Sequence, residues 1–213
     1  MSLLNRQPVS IGREIRSLRD DRVFVVATDD TYAPSQYFEH LPLPRVKVVF
    51  LPTSENSGLS SPRHVVDRLK DAYIEVRSKK QIQDGDEFWV FLDTDHHLKS
   101  SHLPGTLEAL LIVRQAGFEI AISNPCFELW LLLHHVDVAP GTVFANYDEI
   151  ETRLKEIGPY NKNAIKPGQF PMGRIPNAIR RARALDTTLN APWPETAGTR
   201  VYRLLERILP FNP

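Results

Sequence analysis

A single cysteine, Cys126, stands among the 213 residues. One thiol forms no intrachain disulfide and no multi-cysteine zinc centre, and it fits a reducing compartment. Excess charge of either sign is also missing: Lys plus Arg and Asp plus Glu both number 26, a formal net charge of zero. No global field therefore draws in nucleic acid, and any such binding must come from a local basic patch. Arg13 to Arg22, Arg77 to Lys80 and Arg174 to Arg183 are the patches on offer, although charge runs commonly form solvated helix faces. No stretch approaches the roughly 18 uninterrupted apolar residues that span a bilayer. The first ten residues lack an apolar signal core, so the protein is expected in the cytosol, with no membrane partner. Internal repeats and low-complexity segments are absent too.

What is present is a rhythm of short apolar runs. Hydrophobic residues make up 42% of the chain, enough for one substantial core. Val23 to Ala27, Arg45 to Leu51, Glu87 to Leu92 and Phe118 to Ser123 read as strands. Between them lie helical stretches: Pro34 to Leu41, Ser61 to about Lys80 with Ser61 and Pro62 as N-cap and N1, and Leu103 to Ala116 closed by Gly117. Asn124 and Pro125 read as the cap of a very apolar helix, Cys126 to Leu133. Alternation of this kind predicts an α/β fold, a parallel sheet of about four strands flanked by helices. Beyond Val138 only helices are expected: Tyr147 to Ile157, Pro176 to Leu189 and Thr199 to Leu209, with a long loop from Gly158 to Arg174. The predicted organisation is a basic segment over 1–21, an α/β core over 22–138 and a helical C-terminal extension over 139–213.

The chemistry-bearing residues gather where strands end. Asp93 and Asp95 close the run Phe-Trp-Val-Phe-Leu-Asp-Thr-Asp, and at i and i+2 of a strand they would share a face. Two carboxylates side by side suit a hard cation such as magnesium or manganese, which keeps positions for water and phosphate; an acidic turn after a core strand is the plainer explanation. Asp29 and Asp30 follow the first strand, and one of them can face the Asp93–Asp95 pair across the sheet. Glu128 sits in a helix so apolar that it must be paired or point into a cavity. His134 is a candidate proton shuttle or phosphate contact, and Lys162 a candidate for stabilising charge on a phosphate. Zinc is not expected at His96-His97 or His134-His135, because no HExxH or CxxC spacing accompanies them. Cys126 reads as a small core residue. A haloacid-dehalogenase type of phosphotransfer does not fit, since the DxD follows the third strand and His97 stands two residues beyond its second acid.

Several of these pieces together resemble the RloB-like family, which is related to Toprim nucleases and encoded near restriction and phage-defence genes. Ser123-Asn-Pro-Cys-Phe-Glu-Leu-Trp130 with Leu133-His134 is similar to its most distinctive motif, and Asp93-Thr-Asp95 to its DxD. Tyr37-Phe38, Tyr160-Asn-Lys162 and Gly198-Thr-Arg-Val201 are similar to its other landmarks. The resemblance implies a Toprim-like sheet and a divalent-metal-dependent nuclease acting on RNA, tRNA among its candidates, or on DNA, with Asp29, Asp93, Asp95 and Glu128 around magnesium or manganese. It further implies an ABC-type or AAA-type ATPase partner encoded alongside. One position departs: the family's glutamate-glycine pair, eight residues ahead of Tyr37, is Asp29-Asp30 here, and a second acidic position is Pro34. Aspartate is shorter by one methylene, so the alternative is a catalytically impaired subunit that binds nucleic acid or the ATPase.

Overall fold

The computed structural model describes residues 21–97 and 103–209. Most of the predicted basic N-terminal segment lies outside them. Strands β1 (Arg22–Thr28), β2 (Val46–Leu51), β3 (Glu87–Asp93), β4 (Glu119–Asn124) and β5 (Gly198–Thr199) form one sheet in the order β2-β1-β3-β4-β5. The first four are parallel, and β5 runs antiparallel to β4. Strands buried on both faces read as continuous apolar runs. In β1, Phe24 and Val26 enter one core cluster, Val25 and Ala27 the other.

The helices divide between those two clusters. α1 (Ala33–Glu39) packs on one face through Ala33, Tyr37 and Phe38. On the opposite face lie α2 (Pro62–Ser78) and, after the single turn α3 (Thr94–His97), α4 (Leu103–Gln115). The first face also carries α5 (Glu128–Leu133), α6 (Tyr147–Ile157), α7 (Ile175–Leu185) and α8 (Val201–Ile208). α5 is buried all round, as expected of a helix without a polar face. The C-terminal segment thus shares one core with the sheet. No helix among the described residues is long and apolar enough to cross a membrane.

This arrangement fixes where a ligand can enter. From β1 the chain leaves through α1 toward β2, and from β3 it leaves through α4, on the other face, toward β4. The connections after the neighbouring strands β1 and β3 therefore diverge and open a crevice at their carboxyl ends, the topological switch point of an open α/β sheet.

Three sequence expectations change. The chain turns helical at Thr94, whose amide and that of Asp95 both donate to the Pro125 carbonyl, at 2.9 and 3.1 Å; Asp95 therefore lies in a helical turn and does not share a strand face with Asp93. Asn124 is no helix cap: it ends β4, and its side-chain amide donates to the Pro194 carbonyl at 2.7 Å. Gly198-Thr199, expected at the edge of a helix, is instead the fifth strand, tied to β4 by a Ser123–Thr199 hydroxyl pair at 2.9 Å.

Glycine is required at position 198, where a Cβ would lie 2.8 Å from Cβ of Pro194, a ring that cannot swing aside. Gly198→Ala is expected to cost about 1–3 kcal/mol, read as a lower midpoint in urea unfolding with an unchanged slope.

Candidate active site

The crevice is a cleft of about 720 Å³. Asp29 and Asp30 after β1, Asp93 from β3 and Asp95 from α3 line it, together with Asp148 and Lys162. Asp29 is anchored by its Oδ2, which accepts from the Asp93 amide at 3.0 Å. The loops after β1 and β3 are thereby locked to each other.

Lys162 is the one lysine or arginine among these lining residues. Its Nζ lies 2.6 Å from Oδ2 of Asp30 and 3.6 Å from Oε1 of Glu128. Burial alone would lower its pKa, but Glu128 and Asp30 outweigh that and hold it above the ordinary lysine value. Glu128 is fully buried in the first turn of α5. It takes a hydrogen bond from the Tyr160 hydroxyl at 3.1 Å, and its Oε2 has no hydrogen-bond partner among the described residues. Burial raises its pKa, Lys162 opposes the rise, and Asp30 adds to it. Glu128 thus stands behind Lys162 and does not line the cleft.

Asp93 shows the surplus of negative charge most clearly. Burial pushes its pKa well above the carboxylate range, and the neighbouring charges of Asp29, Glu128, Asp95 and Asp30 push it further. A single ammonium cannot offset so many acids. Asp29, Asp93 and Asp95 offer oxygen donors only, the set a hard divalent cation takes. Among the described residues no three His, Cys, Asp or Glu side chains are disposed to enclose an ion by themselves. The donors fit an ion held by one or two carboxylates that completes its shell with water and substrate phosphate, as magnesium usually does.

His134 is not brought to this cleft. Its ring packs in the core against Tyr37, Trp130 and Phe170, with Nε2 3.1 Å from the Tyr37 hydroxyl. Burial, reinforced by His135 and Arg174, pushes its pKa down to about 3, so the ring is neutral at physiological pH. Cys126 is buried at the cleft wall with its thiol pushed up by burial, which disfavours the nucleophilic thiolate. Part of two of the basic patches is paired: Lys79 with Glu75, Arg180 and Arg181 with Asp137, and Arg183 with Glu206.

Sequence reasoning passed over Asp30 in favour of Asp29, and it assigned no role to Tyr160 or Tyr147. Adjacency to Asp29 was the available signal for Asp30. Tyr147 was marked only as a helix start, yet its ring lies under Lys162, 5.1 Å from Nζ.

No curated protein and no solved structure matches the chain. The family model described as RloB-like protein matches residues 24–208. That span takes in every strand but the first two residues of β1, and the whole of the acidic cleft; the chain belongs to the RloB-like family.

Proposed function

We propose that the chain is a divalent-metal-dependent nuclease of Toprim-like type that hydrolyses phosphodiester bonds in RNA, tRNA among its candidate substrates, or in DNA. We further propose that it acts as the effector of a bacterial anti-phage system, alongside an ABC-type or AAA-type ATPase. The observation that carries the chemistry is the meeting of Asp29, Asp93 and Asp95 with Lys162 in one cleft at the switch point of the sheet. Family resemblance alone supports the defence role and the ATPase.

Asp93 and Asp95 would hold magnesium or manganese, with Asp29 completing the donor set. When bound, the ion supplies Lewis-acid polarisation of the phosphoryl oxygens and lowers the pKa of a coordinated water. Alternatively, Asp29 would serve as general base and accept a proton from the attacking water; the bond of its Oδ2 to the Asp93 amide, which holds the side chain at the cleft, supports a role there. Lys162 would meet a non-bridging phosphate oxygen and stabilise the charge that develops there. Glu128 and Tyr160, behind it, keep that ammonium in place.

Incubation of the purified protein with labelled tRNA and with plasmid DNA, in magnesium, in manganese and in EDTA, tests the proposal. Cleavage of one substrate class that EDTA abolishes is expected. No cleavage of either, even with the candidate ATPase added, would contradict it and leave a nucleic-acid-binding or ATPase-binding subunit.

A further inference from the structure

Lys162 is carried by the loop between α6 and the turn at Met172–Arg174, where a side chain would ordinarily sample many positions. The backbone around it is pinned to α1. Gln36 donates from Nε2 to the Asn163 carbonyl at 3.1 Å and accepts at Oε1 from the Ile165 amide at 2.7 Å. His40 Nε2 adds a bond to the Ile165 carbonyl at 2.9 Å. A fixed backbone still leaves four side-chain torsions, and something must choose among them.

Asp30 is placed to choose. Its side chain is only 3% exposed, and its two oxygens divide the work. Oδ1 accepts from the amides of Tyr32 and Ala33, at 2.6 and 3.1 Å, at the start of α1; Oδ2 faces Lys162 at 2.6 Å. Glu128, fully buried, also attracts the ammonium through Oε1, 3.6 Å away, the oxygen that accepts from the Tyr160 hydroxyl. The Tyr147 ring closes the third side. An ammonium has three donors, and Asp30 takes one of them. Lys162 stays 34% exposed at the cleft, with donors left for an arriving ligand.

We infer that Asp30 is a positioning residue that, with Glu128, seats the Lys162 ammonium at the cleft wall, so that an entering phosphate meets a fixed cation. The purpose of the seat rests on the proposed phosphodiester chemistry; its geometry does not. Ordering a long side chain in advance removes an entropic cost from the bound state. Asp30 would therefore act through Lys162, without touching the reacting atoms.

Asp30→Asn tests this, because the asparagine oxygen can still accept at the helix start while an uncharged NH2 donor replaces the carboxylate oxygen that faces Lys162. The full-length protein would be treated with an acetylating N-hydroxysuccinimide ester and its lysines followed by peptide mass spectrometry. In the wild type Lys162 is expected to react more slowly than the exposed Lys155 and Lys166. In Asp30→Asn its rate should rise several-fold while theirs stay unchanged, and Asp30→Glu should restore protection. Equal Lys162 rates in the wild type and Asp30→Asn would overturn the inference. This readout needs no catalysis, so a protein that cleaves nothing still decides it. Where cleavage is measured, Asp30→Asn should lower kcat/KM, since a displaced ammonium meets neither the bound phosphate nor the charge that develops on it; an unchanged kcat/KM would count against the seat.

Discussion

Asp93→Asn is expected to lower metal-dependent cleavage by about 100-fold or more, the loss that misplacing a catalytic group by about 1 Å already brings. In EDTA the same substitution should make the protein more stable. Asp93 is half-buried, and desolvation together with the like charges around it raises its pKa, so its ionised form is disfavoured by folding. The sign follows from linkage: with the folded pKa above the unfolded one, the stability tied to this group is complete below the unfolded pKa and lost as pH rises through the folded pKa. The metal-free wild type should therefore lose stability as pH climbs above the ordinary carboxylate range, and Asp93→Asn should flatten that dependence. Thermal melts in EDTA across this range check it. A gain of about 2–4 °C in Tm is expected for each kcal/mol of repulsion relieved. Lower activity joined to higher stability marks a residue kept for function; a lower Tm in the variant would mean that the acids do not repel one another.

The largest loss of stability should come from Arg200→Ala, far from any chemistry. Arg200 is buried, and its Nε meets Asp186 at 3.1 Å. Its Nη1 donates to the carbonyls of Ala191 and Pro192, and Nη2 to that of Thr188, all at 2.9 Å. Asp186 also accepts from the Tyr202 hydroxyl and from Arg203, both at 2.9 Å. One guanidinium thus holds the loop after α7 against β5 and the start of α8. Removing it leaves three carbonyls without that donor and deprives a buried carboxylate of one of its two arginine partners. Breaking a buried pair in this way costs about 3–5 kcal/mol, a fall of about 6 °C or more in Tm for a chain of this size. Arg200→Lys should recover only part of it, because a lysine cannot span the same fork of acceptors. A change within about 0.5 kcal/mol, the scatter of ordinary surface substitutions, would contradict this reading.

The four parallel strands were legible because strands buried on both faces leave continuous apolar runs, as in Val23 to Ala27 and Phe88 to Leu92. β5 was not legible: two residues carry no periodicity, and Gly198-Thr199 is held beside β4 by distant contacts, the Ser123–Thr199 hydroxyl pair and the Arg200 network among them. The convergence of Asp93 and Asp95 was legible, but their shared strand face was not what produced it. Both line the cleft, yet the Pro125 carbonyl draws the chain into a helical turn between them, an interaction with no local signal. His134 looked chemical because a histidine ends an apolar helix. Its partner, Tyr37, lies 97 residues away in sequence, and tertiary packing made it a neutral core residue. Lys162 drew its weight from resemblance, since the contacts that seat it come from α1, α5 and the Asp29-Asp30 turn. Asp30 stands where the family pattern has glycine, so resemblance pointed away from it.

Calorimetric titration of the protein with manganese at neutral pH tests most directly whether this cleft is built for a divalent cation. The account predicts saturable binding to the wild type, weakened by about 10-fold or more in Asp93→Asn, as expected when a ligand or its immediate support is lost. Binding that is absent from the wild type, or equally tight in Asp93→Asn, would contradict it.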